Sequence, residues 1–484
     1  MSDPQTPLLD ALCAYAAASP RRFHMPGHKG RAVFPPLPVP LESIDVTELS
    51  ETGCLYEDAP PFSEANRLFA ADWHAPQAFL LAGGSTLGIL AMLAAAYAGS
   101  GCRRLLCDRG CHKSVFHAMA LCRLEPHYLF CDRPGKPPFA DTAAGFSADK
   151  LENRLIETGA HAVILTSPTY AGVRRDIAAA AEIAHRHGAL LLVDEAHGAH
   201  FPFCPGCAGA VSCGADLAVC SLHKTLPALG GAALLTASSR IDGAEIRHML
   251  SVFGSSSPSF LIAASADAAR ARMETAPARH DVTRCAAAAE DIRQTLLTRT
   301  RFRPLTAADT ASGMIDPLRL TVHTASAGLT GTAAADLLAG RAVRCEMSDR
   351  ETVVFILSPS DSPDDLAALK DALLAAAAEA PGEPLPPHPV ERLVPEIACL
   401  PGDVWLTAAE TIPTAASYGR IAAETIGRYP PGVPLAAPGE RITDAVFAVL
   451  QADPAAFPQT LRVLKPRTPA SGEPPAPFPI QSIL

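Results

Sequence analysis

Three short segments of this 484-residue chain combine residue types at spacings suited to chemistry. In Val193-Asp194-Glu195-Ala196-His197 an acid follows an apolar run directly. A carboxylate that deep in a sheet is costly to leave unpaired and calls for a cationic partner. Thirty residues on, Ser221-Leu222-His223-Lys224 also follows an apolar run. A lysine there can form a Schiff base with an aldehyde cofactor. Gly83-Gly84-Ser85-Thr86 stands between strand and helix patterns, where free backbone N–H groups and hydroxyls can hold a phosphate. Each segment has an ordinary reading: a glycine turn, an Asp that caps a helix, a solvated lysine. Together, in this chain order, they supply a phosphate cradle, a partner for a pyridinium nitrogen and a Schiff-base lysine. Pyridoxal phosphate needs all three.

Asp194–His197 also spells the DEAH box of a helicase. That reading needs G-x-x-x-x-G-K-[ST] upstream, and Gly83 to Gly88 lacks the lysine. Cys204-Pro-Gly-Cys207 has the C-x-x-C spacing of a redox dithiol or half a zinc site. No second pair follows at zinc-finger spacing, so the chain is read as holding no metal.

These segments need a scaffold, and the pattern around them provides one. Apolar runs at Ala78–Ala82, Arg104–Cys107, His127–Cys131, His161–Thr166, Ala189–Val193, Asp216–Cys220 and Gly231–Leu235 read as strands. Helical patterns run from the Gly83 turn through Ala98, over Ser114–Leu121 and over Ile177–His187. Alternation of this kind predicts an α/β fold with a mostly parallel sheet covered on both faces. Ligands in such sheets sit at the carboxyl ends of the strands, which is where the three segments fall. Beyond about Thr300 the pattern predicts a smaller α/β unit, with strands at Ile315–Thr321 and Thr352–Leu357 and helices at Thr332–Leu338 and Pro363–Ala378. Pro381–Pro389 reads as a linker to a third region. The expected division is 1–300 for an N-terminal arm and large domain, 301–380 for a small domain and 381–484 for a C-terminal α+β domain.

Composition supports this reading. The chain is 48% hydrophobic, with a net charge of −10, which argues against nucleic acid as a partner. No apolar run approaches the roughly 18–20 residues that span a bilayer. Fourteen irregularly spaced cysteines and no recognisable signal peptide point to a reduced, cytoplasmic setting.

The chain resembles the bacterial ornithine/lysine/arginine decarboxylases, in a short form without a receiver-like N-terminal domain. The matching segments are Phe23-His-Met-Pro-Gly-His-Lys-Gly30, Asp45-Val-Thr-Glu-Leu49, Gly83-Gly-Ser-Thr86, His112-Lys-Ser114, Ser167-Pro-Thr-Tyr170, Asp194-Glu-Ala-His-Gly198, Ser221-Leu-His-Lys224 and Ser256-Ser-Pro-Ser259. Tyr429-Pro-Pro-Gly-Val-Pro434 and Pro438-Gly-Glu440 match towards the end, so the resemblance runs from about Pro20 to Leu450. It implies the aspartate-aminotransferase-like fold, fold type I of the pyridoxal-phosphate enzymes, and decarboxylation of arginine, lysine or ornithine to its amine, for polyamine biosynthesis. Lys224 would carry the cofactor and Asp194 would keep its ring nitrogen protonated. His112 would stack on the ring with His197 beside it. Gly84, Ser85, Thr86, Ser221 and His223 would bind the phosphate. Ser256 or Ser257 would reach it from a neighbouring subunit, with active sites at a homodimer interface. Asp45, Glu48 and Glu51 are candidates for the cationic end of the substrate. Gly110 and Ile89 depart from the family, which commonly has Asn at both positions. The cofactor residues are common to the fold, so an aminotransferase of the same fold is the alternative. The N-terminal and C-terminal segments favour the decarboxylases.

Overall fold

The computed structural model describes residues 6–139, 143–386, 395–427, 434–452, 454 and 457–466. The matching segment 429–433, part of the proline-rich linker and the tail beyond 466 lie outside them. Among the described residues no helix is long and apolar enough to cross a membrane.

The chain opens with helix α1 (Pro7–Ala17), none of whose residues is buried. A short strand, β1 (Arg21–Phe23), follows. The main sheet has seven strands: β2 (Gln77–Leu81), β3 (Arg104–Asp108), β4 (Glu125–Leu129), β5 (Ala162–Thr166), β6 (Leu190–Asp194), β7 (Leu217–Cys220) and β8 (Ala233–Ala237). Their order is β2-β8-β7-β6-β5-β3-β4, and β8 alone runs antiparallel to its neighbours. β5, β6 and β7 are buried at almost every position, as expected of strands covered on both faces. The mostly parallel sheet is therefore as expected, with shifts at its ends. β8 starts at Ala233 rather than Gly231 because Gly231, at φ +96°, closes the preceding turn.

Helix α2 (Phe62–Asp72) precedes β2, and helix α3 (Gly84–Tyr97) leaves β2 through the glycine turn, so close to the sheet that a Cβ on Gly88 would stand 2.6 Å from Val219. Helices also cover residues 113–121, 148–158 and 177–186. A run of three, 243–253, 260–274 and 276–299, leads to a second sheet. Its strands β9 (Arg303–Pro304), β10 (Arg319–His323), β12 (Met347–Ser348) and β13 (Thr352–Ile356) take the antiparallel order β12-β13-β10-β9. β11 (Val343–Cys345) instead pairs in parallel with β1, tying the N-terminal segment to this unit. β10 begins four residues later than predicted, since Asp316 turns back to accept from the Leu318 N–H at 2.9 Å. In the C-terminal region β14 (Ala409–Pro413) pairs with β15 (Thr460–Leu464). Glu440, 2% exposed, fastens that region to the large sheet. It accepts from Arg109 at 3.0 Å, from the Tyr128 hydroxyl at 2.5 Å and from the Ala437 N–H at 2.8 Å.

Candidate active site

β2, β6 and β7 run the same way, so Leu81, Asp194 and Cys220 end at one edge of the sheet. The glycine turn, the Asp194–His197 segment and the turn bearing Lys224 start there. Asp194 is 2% exposed and accepts from the Ala196 N–H at 3.1 Å. Burial pushes its carboxyl above the usual range, while the charge of Lys224 pulls it back. Burial likewise pushes the Lys224 amine below its usual value, against the pull of Asp194.

Lys224 Nζ lies 3.1 Å from His197 Nε2, and His197 Nδ1 lies 2.7 Å from Arg319 Nη2. A guanidinium can only donate, so His197 Nδ1 accepts and the ring proton sits on Nε2. That N–H points at Lys224, which must offer a lone pair. The contact therefore selects the free amine over the ammonium. Burial above all, with the Arg319 guanidinium, holds His197 far below the ordinary histidine range, so it is neutral.

A second layer holds these groups. Arg319 also donates to the Tyr170 carbonyl at 3.0 Å, and the Tyr170 ring stands edge-on to His197 at 5.2 Å. The Tyr170 hydroxyl donates to Glu346 at 2.7 Å, and Glu346 also accepts from the Met25 N–H at 2.9 Å. Lys29 donates to the carbonyls of His24 and Ile356 at 2.9 and 2.8 Å. Gly27 donates its N–H to the His223 carbonyl at 2.7 Å, and a Cβ there would lie 2.5 Å from Leu226 O. Only glycine lets the N-terminal segment cross the Lys224 turn that closely.

His112 caps the helix over 113–121, its Nδ1 accepting from the Ser114 N–H at 3.3 Å. Burial above all pulls it down to about 4, leaving a neutral ring. His223 Nδ1 donates to the Ala232 carbonyl at 2.8 Å. Its Nε2 then carries a proton for an anion only when the ring is charged. Ser85 is half-buried and Thr86 exposed at the start of α3. Ser256 and Ser257 lie exposed between two helices, and the Ser257 N–H donates to Ser255 Oγ within the turn; among the described residues nothing joins either to Lys224. Asp45 and Glu51 are exposed, and Glu48 accepts the Cys54 thiol at 3.1 Å. Among the described residues none of these three carboxylates bonds to Lys224, His197 or Arg319.

The pocket suits a phosphorylated pyridine aldehyde. The Ser221 hydroxyl is buried with no hydrogen-bond partner. Space beyond Gly84 is open, and Gly84 adopts φ +70°. Asp194 is a buried acceptor whose carboxylate, among the described residues, takes one hydrogen bond, from the Ala196 N–H. Sequence reading missed Arg319 and Glu346 and gave Tyr170 and Lys29 no role. The signal for Arg319 was a charged residue set within the apolar run Leu318–Val322.

The fold and this strand-edge arrangement define the class: a fold type I enzyme, of the aspartate-aminotransferase-like group. Residues 6–307 match the Orn/Lys/Arg decarboxylase major domain and residues 396–456 its C-terminal domain. The chain is 32% identical over 457 residues to the uncharacterized protein YaaO of Bacillus subtilis, covering 90% of this chain and 92% of that one. It is 30% identical over 471 residues to the arginine decarboxylase of Bacillus subtilis, covering 92% of each. Lysine decarboxylase A from Pseudomonas aeruginosa has the same fold, with a TM-score of 0.71 at 18% identity over 96% of this chain and 84% of that one. The chain belongs to the Orn/Lys/Arg decarboxylase family, and its activity is that of an amino-acid decarboxylase, a lyase.

Proposed function

We propose that this protein decarboxylates arginine to agmatine with pyridoxal phosphate held on Lys224. The observation that carries the reading is the buried Lys224–His197–Arg319 chain beside Asp194. Arginine is chosen over lysine and ornithine because the relative at 30% identity is named arginine decarboxylase.

Asp194 would hold the ring nitrogen, Ser221 and the Gly84–Thr86 turn the phosphate, and the neutral His112 ring would lie against the cofactor face. Pyridoxal phosphate supplies, when bound, an electron sink for the pair left behind as carbon dioxide departs. A buried carboxylate facing a ring cation stabilises it by roughly a few kcal/mol, as preorganised electrostatic groups do. The chain's own part is to manage protons. Arg319 keeps the His197 proton on Nε2, and His197 keeps Lys224 Nζ unprotonated and nucleophilic. The ammonium of the incoming substrate would give Nζ its proton, and Nζ would then be the acid that returns a proton to the substrate carbon. His223, fixed by its bond to the Ala232 carbonyl and pushed towards the neutral form by burial, would stand beside the cradle.

A second copy of the chain would bring Ser256 or Ser257 to the phosphate and complete the site. The amine product would feed polyamine synthesis in the cytoplasm, and a deletion strain with unchanged polyamine content would count against that role. The function itself is tested by incubating the protein and cofactor separately with arginine, lysine and ornithine, and identifying amines by mass spectrometry. Agmatine as the dominant product is expected. Cadaverine or putrescine in its place would move the substrate, and transamination products without amine would move the reaction.

A further inference from the structure

The decarboxylation site leaves Cys204-Pro205-Gly206-Cys207 without a role. The four residues form a tight turn, with the Cys207 N–H donating to the Cys204 carbonyl at 3.0 Å and Gly206 at φ +76°. Proline second and a left-handed glycine third is the pattern of a type II turn, which holds its outer Cα atoms within about 7 Å. Disulfides span Cα separations of about 4.4–6.8 Å, so the turn brings the two cysteines within bridging range.

The two sulfurs are not equivalent. Cys204 is 4% exposed and its thiol hydrogen-bonds to Cys207. Cys207 is half-exposed and receives Arg174 Nη1 at 3.3 Å. Arg174 is itself held over the Phe201 ring at 5.0 Å. The hydrogen bond from Cys204, with the charges of Arg174 and His200, brings the Cys207 thiol down to about 7 against the effect of burial. Burial pushes the Cys111, Cys220 and Cys285 thiols up. Low thiol pKa, partial exposure and a resolving neighbour together mark a redox-reactive cysteine. Among the described residues no three His, Cys, Asp or Glu side chains gather as a metal site.

We propose that Cys204 and Cys207 form a peroxide-reactive dithiol, a modification site in which Cys207 attacks and Cys204 resolves. The Cys207 thiolate attacks one peroxide oxygen, the O–O bond breaks, and the other oxygen leaves as water after taking a proton. Cys207 is then a sulfenic acid. The Cys204 sulfur attacks it, the S–O bond breaks, a second water leaves and the S–S bond forms. The two thiols lose two electrons and two protons, and one peroxide becomes two waters. A dithiol reductant reverses the change.

The test does not read decarboxylation, so it stands apart from the proposed substrate and cofactor. The full chain loaded with pyridoxal phosphate is exposed to a small excess of hydrogen peroxide at neutral pH, alkylated, digested and mapped by tandem mass spectrometry. The expected result is loss of two hydrogens, localised to Cys204 and Cys207, ahead of any change at the exposed Cys13 and reversed by dithiothreitol. In Cys204→Ser the expected product is a sulfenic acid on Cys207 that dimedone captures. In Cys207→Ser, Cys204 should stay reduced. The proposal is overturned if Cys13 oxidises while the turn stays reduced, or if Cys204 pairs with Cys213 or Cys220 instead. The wild-type map decides this even if a variant fails to fold.

Discussion

Arg319 has no lone pair, and that fact sets the proton on His197 and, through it, the state of Lys224. Replacing Arg319 with Met removes the charge that lowers both groups and frees His197 Nδ1 to carry the proton. Both groups should then titrate at higher pH. The acid limb of the kcat/KM profile should move upward, with a loss of about a hundredfold near neutral pH, the usual scale for displaced acid–base function. A merely structural role would lower the rate with the limb unmoved, and Arg319→Lys should restore part of the shift. Glu195 gives a second test. It is buried beside Asp194, accepts from the Ala210 N–H at 3.0 Å, and burial raises its carboxyl to about 8. The folded state thus binds the proton more tightly than the unfolded chain. Its stability contribution is whole below about 4.5 and is lost as pH climbs to about 8. Each unit of the difference is worth about 1.4 kcal/mol. Glu195→Gln should flatten the decline in melting temperature over that window and raise it at pH 8; an unchanged profile would show that Glu195 is not protonated there. Asp194, Lys224 and the glycine turn were legible because strand ends announce themselves in the local pattern. Arg319 and Glu346 were not, because only the packing of the second sheet against the first brings them to His197.

Among the elements, the parallel strands were readable from their apolar runs, and the predicted helix over 363–378 is held at its start by a capping box. Ser362 accepts from the Asp365 N–H at 3.2 Å while Asp365 accepts from the Ser362 N–H at 2.9 Å, with Pro363 in the first turn. The helix over 148–158, absent from the sequence expectations, has comparable ends in its Ser147 cap and Gly159 at φ +54°, but only three of its residues are buried, so its apolar stripe is narrow. The three long helices over 243–299 were also not predicted. They are rich in alanine with charges on several faces, so their period is blurred. The Gly27 crossing and the Glu440 clasp explain why the N-terminal and C-terminal matching segments have the residues they do. Both are close approaches between distant parts of the chain. Glu440→Ala would leave the Arg109 guanidinium, with 12% of its side chain exposed, without its carboxylate. Breaking a buried pair from one side costs about 3–5 kcal/mol, which should appear as a lower unfolding midpoint in urea. Equal midpoints would mean that the C-terminal region is held by other contacts.

At the scale of the molecule, the catalytic edge belongs to the large sheet, while Arg319, Glu346 and Ile356 come from the unit that follows and Met25 and Lys29 from the N-terminal segment. Neither part alone holds Lys224 in its reactive state. Lys29 offers a direct comparison. It is a second buried lysine near the site, and burial lowers its amine too, but its Nζ is already engaged by the carbonyls of His24 and Ile356. The central claim is that Lys224 is the lysine that takes the cofactor. Loading the protein with pyridoxal phosphate, reducing it with borohydride and mapping the stable adduct by tandem mass spectrometry tests that claim directly. The predicted result is the adduct on Lys224, lost in Lys224→Ala. An adduct on Lys29, or none in the wild-type protein, would contradict it.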